Sequence, residues 1–513
     1  MLALEIALPD FLQTLLSPWG DHSYWAARWL LGRGLAFVYL IAFVVAARQF
    51  RPLAGENGLL PLSDATEYWS FREKPSIFHW FDSDRAIGIA AWTGVGLSAL
   101  ALLGLPSLLG TIPRTLVWLT LWGLYQSFVN LGQDFYGFGW ESMLLEAGFL
   151  AVFLGGGGMA APAVVIWLFR WLLFRNMLGA GLIKIRGDDC WRDLTAMEYH
   201  YETQPMPNPL SWFAHHLPRW MHKAAVLTNH VVELLIPFLY FAPQPFAAIA
   251  GLVTIGFQLW LMLTGNFSWL NLLTAVLAFS TFTDAQARAV LDGVVGGALT
   301  VPAGAPMPGW HLVLVALLSG LVLLLSVRPT ANMLSSDQVM NTGYDPLHLV
   351  NSYGAFGSIT KDRLELVIEG TNEAGPDADW KAYEFYGKPD DPSERPPQVA
   401  PYHHRLGWHL WFAAMTSVRQ HPWVIHLVAK LLRGDEGTLS LVESSPFPDD
   451  DPPERVKVVH YRYRFTTPEE RAETGDWWER ERLGEYYGPV SLDDFELRHT
   501  LRRRGWAADR ENA

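Results

Sequence analysis

The sequence predicts a polytopic α-helical membrane domain of about nine spans, followed by a C-terminal β-rich, sandwich-like soluble module containing an inserted helical pair. Three observations carry this prediction. Half of the 513 residues are hydrophobic. Charge is unevenly placed: 37 of residues 1–328 are charged, against 52 of residues 329–513. The composition therefore changes class at Arg328-Pro329, from lipid-suited to the roughly one-quarter charge of ordinary soluble domains. Stretches such as "GLAFVYLIAFVVAA" and "HLVLVALLSGLVLLLSV" are apolar on every face and too long for ordinary core helices.

Residues 1–27, with "LPDFLQTLLSPWGDHSYW", lack a basic leader and read as an amphipathic interfacial segment rather than a signal peptide. A span needs roughly 17–25 mostly apolar residues. The candidates are 28–47, 86–110, 114–131, 140–157, 162–183, 224–242, 245–264, 268–283 and 310–328. The third, fourth and eighth are short or interrupted, so seven to nine is the predicted range. With nine spans, the loops 48–85 and 184–223 share one face with the C-terminal module. Those loops hold most of the loop Lys and Arg, which by the positive-inside rule makes that face cytoplasmic. Residues 329–343 form a linker. In 344–466, "RLELVIEG" (363–370), "WKAYEFYG" (380–387) and "VKVVHYRYRF" (456–465) read as strands. "GWHLWFAAMTSVRQHPWVIHLVAKLLRG" reads as a helical pair broken at Pro422 and ended by Gly434. Residues 467–513 read as a charged helical tail.

The net charge of −13, with no basic stripe, excludes nucleic acid as a partner. A single cysteine, Cys190, excludes an intrachain disulfide and any CxxC motif. HExxH, phosphate loops and GxSxG elbows are absent, so neither a metal nor a cofactor is expected. His215, His216, His222 and His230 lie close together, yet HxxE (His230, Glu233) is a weak pattern, and interface histidines are the expectation.

The densest polar cluster is "GLIKIRGDDCWRDLTAMEYHYETQP" (181–205). Lys184 ends a span: it either snorkels to the interface or, partly desolvated, serves as a base. The small residues Gly179, Ala180 and Gly181 invite close helix approach. Arg186 and Arg192 can pair with Asp188, Asp189 and Asp193, folding the loop. Trp191, Glu198, His200, Tyr201 and Glu202 complete a set expected to build the loop or meet a client. Within the spans, Glu141, Glu146, His230, Glu233, Asn266 and Asn271 are polar at membrane depth, where ionisable groups are costly. Glu146 can pair with Arg170 or Arg175. The break "TGNFSWLN" must line a cavity or be buried in protein. A transporter built on Glu146 and this break is one reading.

The text "RNMLGAGLIKIRGDDCWRDLTAMEYHYETQPMPNPLSWFAHHLP" (175–218), with "LTNHVVELLIPF", "LTGNFSWLN", "YGFGWESMLLEAGFLA" and "WHLWFAA…HPWVIHLVAKLL", resembles the lipase maturation factors over nearly the whole chain. The resemblance implies a polytopic membrane protein that helps secreted dimeric lipases fold and assemble. It implies membrane lipid and a secreted client as partners, and the endoplasmic reticulum membrane in a eukaryote, or the inner membrane in a bacterium. It also puts the loop and C-terminal module on the lumenal side. The terminal "RENA" is not a KDEL-type retrieval signal. More faintly, "AGLIKIRGDDCW" followed by "MEY" is similar to the lysine-bearing segment of vitamin K-dependent γ-glutamyl carboxylase and its bacterial membrane relatives. That likeness implies an alternative: a membrane enzyme using Lys184 as base on a lipid-soluble cofactor.

Overall fold

The computed structural model describes residues 23–156, 158–295, 304–448 and 450–506. The interfacial segment expected over residues 1–27 thus lies almost wholly outside the described residues. Among the described residues, the first part includes the helices α1 (Trp25–Ala54), α2 (Asp84–Leu103), α3 (Thr111–Leu131), α4 (Gly139–Val152), α5 (Ala163–Gly187), α6 (Arg219–His230), α7 (Phe246–Thr264), α8 (Leu270–Ala278) and α9 (Gly309–Leu325), with the further helix Asp284–Val295 between the last two. Among the described residues, five helices are long and apolar enough to cross a membrane: α1, α2, α5, α7, and α9 with its continuation to Leu334. Helices α3, α4, α6 and α8 are limited by their own sequences. Arg114, Gln126 and Asn130 lower the apolar character of α3, and α4 has 14 residues, about 21 Å against a hydrocarbon core of about 30 Å. Past α6, the π-helical turn Val231–Leu235 and Pro237 break the run. Before α8, Gly265 and Asn266 leave the helix, and Ser268 adopts φ +53°.

Hydrogen bonds gather at the two ends of this bundle. At one end, the Ala26 N–H donates to Asp284 (2.7 Å), Arg28 to the Gly156 carbonyl (2.8 Å) and the Gly156 N–H to the Thr111 hydroxyl (3.2 Å). His311 Nε2 lies 3.1 Å from the Phe153 carbonyl at the same end. At the other end, Gln49 donates to the His403 carbonyl (2.7 Å), Gln133 to that of Leu60 (2.9 Å) and Asn130 to that of Pro346 (3.2 Å).

The C-terminal part is built on a four-stranded antiparallel sheet of order β2-β1-β3-β4, with β1 Arg363–Thr371, β2 Lys381–Ala382, β3 Arg455–Phe465 and β4 Trp478–Val490. Register runs from Arg363 opposite Tyr463 to Thr371 opposite Arg455. Period-two alternation sorts β1 into two faces. Leu366 and Ile368 face an apolar layer made by α10 (Arg405–Ala414) and α11 (Trp423–Leu432), including Leu410, Ala413 and Leu427. Arg363 and Glu365 lie on the other face. The sandwich expected from sequence is therefore corrected: the layer on the large sheet is the inserted helical pair, whose apolar faces fill the place of a second large sheet.

Two further expectations change. "WKAYEFYG" is divided: Lys381–Ala382 pairs with β1, while Glu384–Phe385 pairs with Val442–Ser444. The tail from 467 is not wholly helical, because Trp478–Val490 forms β4 between the helices Pro468–Thr474 and Phe495–Arg503. Its exposed Glu and Arg suit a sheet edge, where charge blocks further pairing.

Glycine fixes how closely the last linker approaches α5. A Cβ at Gly179 would lie 2.4 Å from the Tyr353 carbonyl oxygen, and one at Gly187 2.1 Å from that of Gly357. Gly179→Ala or Gly187→Ala is expected to cost about 1–3 kcal/mol through overpacking. Gly123→Ala, whose Cβ would meet nothing within 4 Å, is expected to gain up to about 1 kcal/mol of helix propensity. Melting temperatures of the detergent-solubilised variants check the contrast.

Candidate functional site

The site grows from the C-terminal end of α5. A Cβ at Gly181 would meet Leu234 and Glu233 at 2.8–2.9 Å, so α5 lies directly on the π-helical turn, as the small-residue run predicted. This contact sets Lys184 against Glu233. The Lys184 ammonium donates to both Glu233 oxygens (2.6 and 2.8 Å) and to Asn229 Oδ1 (3.0 Å), beneath the Trp191 ring at 4.9 Å. Asn229 in turn donates to Glu233 (3.0 Å). A proton acceptor reaching Lys184 would first have to displace Glu233. Asn271 lines the small pocket beside this pair, with Asn176 and Thr274.

Beyond Lys184 the polar residues tie the loop to the C-terminal part. Arg186 donates to the Met333 carbonyl (2.9 Å) and Gln338 (2.8 Å) instead of pairing with the neighbouring acids, which corrects half of the predicted network. Arg192 does pair with Asp189. The Asp188 carboxylate caps the Cys190 N–H (3.0 Å) and accepts from Ile359 N (3.3 Å); the Cys190 N–H holds its pKa below the usual range. Asp193 is exposed. Trp191 Nε1 donates to the Phe356 carbonyl (2.8 Å), Glu198 pairs with Arg219 (3.2 Å), and Glu202 accepts from Phe465 N (2.7 Å). Arg363, from the sheet, donates to the carbonyls of Glu202, Gln204 and Pro205. Tyr201 is buried against His222, and His200 against Phe267 and Phe356.

Of the residues expected at membrane depth, Glu146 and Glu141 each form an ion pair. Glu146 pairs with Arg175, the second of its two predicted partners, and also accepts from the Tyr353 hydroxyl (2.7 Å) and Asn351 N (3.1 Å). Glu141 pairs with Arg405 (2.8 Å) and accepts from Tyr125. His230 Nε2 meets the Trp191 carbonyl (3.0 Å), while His216 and His222 also meet backbone carbonyls. Asn266 donates to Pro207 and Pro397 carbonyls and accepts from Gln398, Val399 and Ala400, burying the helix break in protein.

Between bundle, loop and module lies a chamber of about 370 Å3, walled by Phe138, Trp140, Phe267, Phe356, Trp408 and Phe412. It shares His200, Phe267 and Phe356 with the pocket at Lys184. Among the described residues, no group of three or more His, Cys, Asp or Glu is placed to hold a metal ion.

This architecture has relatives by sequence. Residues 26–289 match the family model of the lipase maturation factor transmembrane domain, and residues 349–488 that of the lipase maturation factor C-terminal domain. The chain belongs to the lipase maturation factor family. It is 44% identical to lipase maturation factor 1 of Homo sapiens over 94% of this chain and 91% of that protein, and 42% identical to the Bos taurus protein over 94% and 92%. Lipase maturation factor 2 of Homo sapiens is 29% identical over 93% and 84%. No solved structure matches the chain.

In this member of the family, several buried groups escaped sequence reasoning. Arg405, Asn351, Tyr353 and the network of Arg363, Glu365 and Lys388 sit in the polar-looking C-terminal part. Their one sequence signal was position: "NSYGAFG" and "HHRLGW" mix glycine, aromatic and charged residues without the period of an exposed face.

Burial also gives this chain a predicted acid sensitivity. His200 and His409 are pushed down to about 3, and His215, His348 and His404 to about 4, with burial the largest cause for each. Unfolded, each returns to about 6.5. Below that pH the unfolded chain binds more protons, so stability falls on acidification, by up to about 1.4 kcal/mol per histidine per pH unit. Asp390, pushed up to about 7 by burial, acts oppositely, since its folded form takes the extra proton. The net expectation is a loss of several kcal/mol from pH 7 to about 5.5. A melting temperature that rises on acidification would contradict it.

Proposed function

We propose that this chain is a membrane-anchored maturation factor that assists the folding and assembly of secreted proteins, a dimeric lipase being the client. The observation that carries the reading is the near-full-length likeness to proteins named lipase maturation factor, which spans the membrane part, the loop and the C-terminal part together. The helices serve as anchor. Loop 184–223 and the sheet module form one cap that meets the client, with exposed Phe213, Trp220 and Phe495 offering apolar surface. Nine crossings are part of the proposal: the hydrogen bonds at the two bundle ends support alternating directions for α1 to α9, with α4 and α8 buried among longer helices. The membrane is that of the endoplasmic reticulum in a eukaryote, cap in the lumen, or the inner membrane in a bacterium.

The test is co-expression with a dimeric lipase in cells lacking such a factor, reading secreted lipase activity per mole of lipase. A several-fold rise is expected; equal specific activity with and without the chain overturns the proposal. The double variant Lys184→Met/Glu233→Gln removes the ammonium and its counter-charge together. Maturation retained in that variant excludes the Lys184 enzyme alternative, and maturation lost with unchanged melting supports it.

A further inference from the structure

The aromatic chamber is a partly open cavity with room for about a dozen waters at ~30 Å3 each. Its walls are mostly apolar, with Asn176, Asn341, Ser358 and Thr360 among the polar residues that line it. No lysine or arginine lines it, so an anionic head group would find no counter-charge. Several polar atoms of its lining residues are buried without a partner, among them Gln204 Oε1, Trp408 Nε1 and His409 Nε2. His409, which lines the chamber, is hydrogen-bonded to the Asp134 backbone, while its Nε2 is buried without a partner. The ring is 6% exposed. A neutral imidazole donating at Nδ1 presents a lone pair at Nε2, which repels a carboxylate and accepts from a hydroxyl.

Exposed apolar side chains follow one another in sequence from the last membrane helix to the chamber lining. Leu323, Leu324 and Val327 are exposed along the last membrane helix, and Leu334, Val339 and Met340 continue the series. Asn332 fixes its course by bonding both the N–H and the carbonyl of Val339 at 2.9 Å. Met340 lines the chamber.

We propose that the chamber binds one single-chain neutral lipid bearing free hydroxyls, of the monoacylglycerol class. A hydroxyl donates to His409 Nε2, the chain lies against the aromatic rings, and the molecule arrives from the bilayer past Leu334, Val339 and Met340.

The test uses the full chain in phosphatidylcholine nanodiscs containing a diazirine-bearing monoacylglycerol. Photolysis is expected to label residues 134–140, 353–360 or 405–415. Unlabelled monoacylglycerol should displace the probe, and its dimethyl ether about fivefold less well, the worth of one hydrogen bond. His409→Phe should abolish that preference. Ala355→Trp, which fills the chamber from its lining, should lower labelling about tenfold, a difference of about 1.4 kcal/mol, with melting confirming the fold. Labelling spread over the lipid-facing helices, or undiminished by Ala355→Trp, overturns the proposal. So does equal displacement by the dimethyl ether, or stronger displacement by a sterol, a fatty acid or an apolar client peptide. If either variant fails to fold, the ether competition on the unmodified chain decides alone.

Discussion

Arg175→Met is expected to lower stability by about 3–5 kcal/mol, because it leaves the Glu146 carboxylate buried without its counter-charge. The pair is 1–2% exposed. Glu146 would keep the Tyr353 hydroxyl, Asn351 N and Asn351 Nδ2 as donors, but these carry no net charge. Arg175 also donates to the Asn351 carbonyl, so its loss frees the segment that leads into the C-terminal part. The expected signature is faster trypsin cleavage after Lys361, together with a lower melting temperature. Adding Glu146→Leu should restore much of the loss, since removing both charges of a buried pair is often neutral. A double variant no better than Arg175→Met would show that the pair acts through something other than charge.

Arg405→Met is the second large effect, again about 3–5 kcal/mol. Arg405 and Glu141 are fully buried. The guanidinium donates to the Phe135 carbonyl (2.6 Å) and lies 3.5 Å from the Tyr136 ring centroid. It thereby joins the first turn of α10 to the start of α4, bolting module to bundle. Arg405→Lys keeps the charge but cannot match the planar fork or the ring stacking, and should recover only part of the stability. If co-expressed lipase remains fully active with a destabilised Arg405→Met chain, the cap need not be rigidly seated for maturation.

How legible was this in the sequence? The apolar segments were, because lipid demands long runs that no soluble helix carries. So was the Glu146–Arg175 pair, since a carboxylate at that depth needs a cation and two arginines lay on the next helix. Lys184 was visible as a charge at a span end, but its partner Glu233 was not, since the π-helical turn that presents it depends on contact with Gly181. β4 was misread as helix because "WERERLGEYY" alternates acid and base. On an exposed edge those charges pair across strands, as Arg462 does with Glu481 at 3.2 Å. Asn351 and Arg405 were invisible for a related reason: in a water-soluble part, polar residues look like surface until packing encloses them.

The grip of Arg363 on the loop carbonyls has a consequence for biogenesis. Its acceptors at Glu202 leave the ribosome 161 residues before Arg363 does. At 5–20 residues per second, the wait is roughly 8–30 s. Throughout that interval the nascent loop lacks the guanidinium that ties its carbonyls together.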